Sequence, residues 1–152
     1  MPEYRVRTPL AMRMARLDRS KFNVAVSKGF FPCAPSVGNG TSRAFSLDEV
    51  VSLHIFADLL ADEMGARTAG HIACKVLAMM QQYPKEETFV WVTGLSGIRT
   101  LLRGSDWEET QERNGIYPPV ASTTLHVGHI RRHVARLFEE EARILGGDDG
   151  DE

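Results

Sequence analysis

The stretch from Leu17 to Ser46 (LDRSKFNVAVSKGFFPCAPSVGNGTSRAFS) constrains the fold most, because start and stop signals for local structure follow one another there in close order. Asp18 is suited to cap a helix whose first turns hold Arg19, Ser20, Lys21 and Asn23. Gly29 supplies the residue best able to take a left-handed backbone at the helix end, and Pro32 prevents continuation. Beyond it, Phe30-Phe31 and the returning Ser42-Arg43-Ala44-Phe45 flank a loop with Gly38, Asn39 and Gly40, the pattern of a hairpin with a flexible tip.

The flanking sequence supplies more helices. Thr8-Pro9 predicts a helix start, with the hydroxyl as cap and proline at the first helical position. Leu10, Met14 and Leu17 then recur at helical spacing and face inward, leaving Arg13 and Arg16 on the surface. The second helix, about Arg19 to Lys28, turns Phe22, Val26 and Ala25 inward and Ser20, Lys21, Asn23 and Ser27 outward, so the pair reads as a helix-turn-helix. Ser46-Leu47-Asp48-Glu49 is a capping box, with Phe45 placed to pack on Val50 as a staple. Leu53, Phe56, Leu59 and Leu60 carry the third helix to Met64-Gly65. A fourth, about Thr68 to Gln82, has Pro84 just past its end.

After Lys85 the period changes. Thr88 to Val92 (TFVWV), a Thr93 to Gly97 turn and Ile98 to Leu102 predict a hairpin. Residues 104–117 are polar and read as a loop with at most a short helical turn, Val120 to Val127 has strand composition, and Gly128 to Leu145 reads as a closing helix. The expected fold is therefore α+β and mainly helical. Residues 1–83 form a helix-turn-helix unit, 84–145 a small strand-containing lobe, and 146–152 (GGDDGDE) an acidic tail expected to be disordered.

Charge is distributed unevenly. The net charge of −2 conceals eight basic residues against Glu3 and Asp18 in residues 1–43, a net of +6, which leaves −8 for the remainder. A concentrated positive segment on an acidic body gives a local field for a polyanion. An apolar share of 43% and a charged share of 25% are ordinary for globular proteins. No run approaches the ~18 apolar residues of a membrane span, and the start lacks the apolar stretch of a signal peptide, so a cytoplasmic protein is expected. Cys33 and Cys74 fit neither a disulfide framework nor a CxxC pair, which suits a reducing compartment.

Leu17 to Pro32 resembles the recognition segment of MerR-type winged helix-turn-helix regulators, with Asp18 at the cap, Phe22 at the core position and Gly29-Phe30-Phe31-Pro32 at the glycine, apolar pair and proline. Arg43-Ala44-Phe45-Ser46, followed by Asp48 and Glu49, is similar to the return strand of the family's wing and the start of its next helix. The resemblance covers about residues 4–80. It implies a winged helix-turn-helix that binds double-stranded DNA in a transcriptional regulator. Arg13, Arg16, Arg19, Ser20, Lys21, Asn23 and Lys28 are the expected contacts on the helices, and Asn39, Thr41 and Arg43 those on the wing. Arg addresses guanine and Asn adenine through paired bonds in the major groove. The chain departs from the family at Val24, Ala25 and Val26, where aromatic and acidic residues are usual, and at Ala44, which replaces one of two wing arginines. Beyond Tyr83 the family's long coiled-coil helix is absent, so neither its effectors nor its metal sensing carry over.

One recognition helix and wing contact only a half-site, which predicts a homodimer on a pseudo-palindrome. Ile130, Val134, Leu137 and Phe138 form a stripe on the closing helix suited to dimerisation, and equally suited to packing on the preceding strands. His129 with His133, and His71 with Cys74, have helical metal-ligand spacing, but nothing brings the pairs together, and no metal or cofactor is expected. There is no P-loop, Rossmann glycine pattern or nucleophile elbow to suggest an enzyme. Trp91, Trp107 and Tyr117 are read as core or interface residues, with a small-molecule pocket as the alternative. The second lobe is expected to dimerise or to sense a small-molecule or protein effector. Two other readings fit the basic face: an excisionase-like architectural DNA-binding factor, and a protein-interaction module that docks an acidic partner.

Overall fold

A two-residue strand, β1 (Val6–Arg7), runs straight into α1 (Thr8–Ala15) in the computed structural model, which describes residues 4–37, 43–112 and 119–148, with backbone alone at 110–112 and 145–148. Thr8 is the first helical residue rather than the cap. Arg7 holds the cap position in extended backbone without a side-chain bond, and Pro9 sits in the first turn, where its missing N–H costs nothing. Arg16 ends α1 in the left-handed region (φ 58°). The next helix, α2 (Arg19–Ser27), starts after Asp18, whose carboxylate accepts a hydrogen bond from the Lys21 N–H at 3.1 Å. Gly29, at φ 76°, turns the chain away from α2 as its position after the helix requires.

The return strand β2 (Ala44–Phe45) pairs antiparallel with β1, Val6 opposite Phe45 and Arg7 opposite Ala44. The expected hairpin between Phe30-Phe31 and the 42–45 segment therefore does not form among the described residues, because Phe30 and Phe31 are drawn into packing instead of a strand. The Phe31 ring meets Phe22 at 5.9 Å and Phe56 at 5.1 Å, and Phe22 meets Phe45 at 5.9 Å. This aromatic chain locks α2 and β2 onto α3 (Leu47–Ala61), the helix that carries Phe56. The capping box at its start is present in full: the Glu49 N–H donates to Ser46 Oγ at 3.2 Å, and the Ser46 N–H donates to the Glu49 carboxylate at 2.8 Å.

α4 (Ala66–Gln82) packs along α3, where the buried Ser52 hydroxyl donates to the Ala73 carbonyl at 2.9 Å. Cys33 and Cys74 are joined in a disulfide, which corrects the expectation that they stay unpaired. The two cysteines are 41 residues apart in sequence, and they meet where the chain after α2 lies on α4, with the Phe30 backbone against Gly70.

The rest of the chain adds β3 (Phe89–Gly94), β4 (Arg99–Arg103), α5 (Gly104–Glu112), β5 (Pro119–Leu125) and α6 (Val127–Asp148). The three strands form an antiparallel sheet of order β4-β3-β5. Residues 104–112 are helical rather than loop. Asp106 in the first turn of α5 holds Arg103, three residues before it, in two hydrogen bonds of 3.0 Å, while the Gly104 N–H bonds the Thr88 carbonyl at 2.9 Å, so a local pair and a tertiary contact together fix the helix start in a polar sequence. The fold is α+β and mainly helical, as expected. α6 lies across α3, and one buried cluster runs from Val6 through Phe22, Phe56 and Phe89 to Val134 and Phe138. Residues 146–148, expected to begin the disordered tail, continue α6 as backbone; residues 149–152 lie outside the described set. No helix among the described residues is long and apolar enough to cross a membrane.

Candidate nucleic-acid interface

The exposed side of α2 carries a chemically ordered face. Ser20, Asn23, Val24 and Ser27 recur at i, i+3, i+4 and i+7, so they run down the centre of that side, all exposed. Lys21 and Lys28 flank the row on one side and Arg19 on the other. The opposite side of the helix is anchored by Phe22 and Ala25, each 1% exposed, so the face is held in a fixed orientation. Polar Ser20, Asn23 and Ser27 around an exposed Val24, with cations at the margins, form a face on which polar groups can meet base edges while the cations meet phosphates.

Arg13 and Arg16 extend the positive surface onto α1, where they line a groove of about 490 Å³ with Arg19, Leu17 and Asp18. Among the described residues no carboxylate forms an ion pair with Arg13, Arg16, Arg19, Lys21 or Lys28. Several cations elsewhere are neutralised within the chain: Arg131 by Asp48 at 3.3 Å, Arg132 by Glu87 at 3.0 Å and Arg103 by Asp106 at 3.0 Å. The Glu87 carboxyl is held below the ordinary carboxylate range chiefly by its hydrogen bonds from Arg132, whose own pKa rises for the same reason.

Arg43 stands apart from the other expected contacts. It is half-buried, and its guanidinium donates to the Pro35 carbonyl, fastening one end of the loop to the other. Asn39 and Thr41 lie outside the described residues. A feature missed in the sequence is a cleft of about 340 Å³ beside α2, where Val24 and Ala25 meet Phe30, Leu60 and Ala66. The Arg67 guanidinium covers the Phe30 ring from 5.1 Å. Phe30 could have signalled the cleft, had it not been read as part of a strand.

The proposed dimerisation stripe is largely spent inside the chain. Val134 is 0% and Phe138 7% exposed, with Phe138 edge-on to Tyr4 at 5.7 Å, while Ile130 and Leu137 are half-buried against the same core. α6 packs on α3, so Val134 and Phe138 belong to the chain's own core, one of the two readings the stripe allowed, while Ile130 and Leu137 keep part of their surface exposed. The two histidine pairs do not converge. Cys74 is in the disulfide, His71 is edge-on to Trp91 at 6.0 Å, His129 stacks on His126 at 5.4 Å, and His133 faces His54 at 6.1 Å. No cluster of three or more metal-ligating side chains occurs among the described residues. Trp91 is buried and Trp107 half-buried, whereas Tyr117 lies outside the described residues.

Compared with protein-family models and with curated proteins, the chain matches none.

Proposed function

We propose that the chain is a sequence-specific binder of double-stranded DNA, a transcriptional regulator of MerR-like winged helix-turn-helix type, acting as a homodimer on a pseudo-palindromic site. The observation that carries this reading is the α2 face: a rigidly seated helix whose exposed row of Ser20, Asn23, Val24 and Ser27 is bordered by cations that no carboxylate of the described residues neutralises. In this reading α2 lies in the major groove, Arg19 and Asn23 address base edges, and Arg13, Arg16, Lys21 and Lys28 engage phosphates. Arg43 shapes the loop through Pro35 instead of reaching outward. The protein acts by binding rather than catalysis. Selection of bound sequences from a random duplex pool tests it: a recurrent motif with two related halves supports regulation by a dimer, and no enrichment over the starting pool contradicts it.

The apolar cleft beside Val24, which is 51% exposed, favours protein docking as a second reading. A protein that enriches no duplex but captures an acidic peptide through Val24 and Phe30 would support that alternative.

A further inference from the structure

β5 is an edge strand of unusual openness. One edge pairs with β3, and no strand covers the other among the described residues. Half-buried strands alternate between exposed and covered side chains, yet all of Pro119 to Thr124 are exposed, so both faces are open as well as the edge. Its central neighbour β3 is buried almost throughout, so the sheet is well packed up to the strand where it stops.

Edge strands normally carry devices against pairing with another chain, such as charged side chains, proline or a bulge. β5 (PVASTTL) has no charged residue. Its proline and its one irregularity, between Thr93 and Gly94 on the facing strand, both lie at its first end, and the remaining stretch from Ala121 to Leu125 pairs regularly with Thr93 to Phe89. Apolar surface collects at that same first end. Gly94 sits opposite Pro119 and its N–H bonds the Ile98 carbonyl at 2.7 Å, which sets exposed Ile98 and Val120 on either side of the end of β3, with exposed Leu95 in the adjoining turn.

An antiparallel strand edge is self-complementary about a twofold axis, and an uncharged one repels neither itself nor its copy. With Val134 and Phe138 of the α6 stripe buried in the chain's own core, β5 offers, among the described residues, an open strand edge and an apolar flank that suit a second copy of this chain. We propose that β5 pairs antiparallel with β5 of a second copy about an axis near Thr123, joining two sheets into one of six strands. This inference rests on the dimer of the preceding reading and is independent of its DNA ligand.

Sedimentation equilibrium of the full chain at micromolar concentration tests the proposal with Thr123→Lys and Thr123→Glu, an exposed position where like charges would face each other across the axis. The wild type is expected to be a dimer, each variant to dimerise at least tenfold more weakly with its circular dichroism unchanged, and an equimolar mixture of the two to recover the dimer. Amide hydrogen exchange of the unmodified chain supplies a second readout: protection of the β5 amides that face away from β3 should be lost on dilution into the monomer range, while those bonded to β3 stay protected. A wild type that stays dimeric while both variants match it, a mixture without recovery, or β5 exchange unaffected by dilution would overturn the strand pairing but leave a dimer elsewhere. A monomeric wild type would overturn both.

Discussion

The backbone of Phe30 rests directly on Gly70 of α4, so closely that a Cβ at position 70 would overlap the Phe30 carbonyl. This contact fixes where the chain goes on leaving α2, and so helps orient the face of that helix. Replacing Gly70 by Ala gains up to about 1 kcal/mol of helix propensity but forces backbone against backbone, an overpacking cost of about 1–3 kcal/mol. The clash dominates because Phe31 and the Cys33–Cys74 bond stop the segment from moving away. Gly70→Ala is expected to lower stability by about 1–2 kcal/mol in urea unfolding, and an unchanged midpoint would show that the contact yields.

The Cys33–Cys74 disulfide closes a loop that contains β2 and all of α3. Its removal by the double substitution Cys33→Ala, Cys74→Ala is expected to cost about 2–4 kcal/mol, the range for loops of this kind. The check is chemical unfolding with and without reductant. Reductant should bring the wild type close to the variant and leave the variant unmoved.

Glu87 joins the start of the sheet to α6 through its two hydrogen bonds from Arg132, while its backbone carbonyl accepts from the Gly128 N–H at 2.9 Å. Because the pairing holds the Glu87 carboxyl below its ordinary range, the ionised form favours the folded state. That contribution is present above the ordinary glutamate pKa of about 4.3 and disappears as the pH falls through the lowered value. Glu87→Gln should therefore be slightly less stable than wild type at neutral pH, with the difference vanishing in acid and shrinking in high salt, since the pair is exposed. A difference that persists at pH 2 would assign the effect to packing.

Local signals in the sequence were legible where they act alone. Asp18, Gly29 and the Ser46-Glu49 box each mark a helix boundary that holds, because a cap is satisfied within a few residues of itself. Phe22 was legible as core because its spacing leaves one face for it. What sequence spacing hid depends on distant partners. The Cys33–Cys74 bond requires the loop after α2 to reach α4, α5 starts on the Thr88 carbonyl, and β2 finds β1 rather than the nearer Phe30-Phe31. The stripe on α6 was ambiguous for the same reason: periodicity reveals an apolar face but not whether the chain's own α3 or another chain covers it. The outward row on α2 was legible, and Val24 shares its helical spacing, although the sequence reading did not place it there.

Single substitutions separate phosphate contacts from base contacts. Lys21→Ala and Lys28→Ala, on the exposed margin of α2, should weaken binding about equally for selected and unrelated duplexes and leave the melting temperature unchanged. Asn23→Ala, in the central row, should cost about 1–3 kcal/mol on the selected duplex and little on unrelated ones. Arg43→Ala should act mainly through the loop it fastens to Pro35, with a loss of stability beside any loss of affinity. Fluorescence anisotropy on both duplexes, paired with thermal unfolding, checks all four.

The most direct test of the DNA-binding account is the salt dependence of affinity for a selected duplex. The four cations assigned to phosphates, Arg13, Arg16, Lys21 and Lys28, have no carboxylate partner among the described residues and predict a steep decline, with a log–log slope approaching about −4 per protomer if each engages a phosphate. The Lys21→Ala variant should make that slope shallower by about 1. Affinity that stays constant between low and moderate salt, or a slope untouched by Lys21→Ala, would contradict the assignment of this face to DNA.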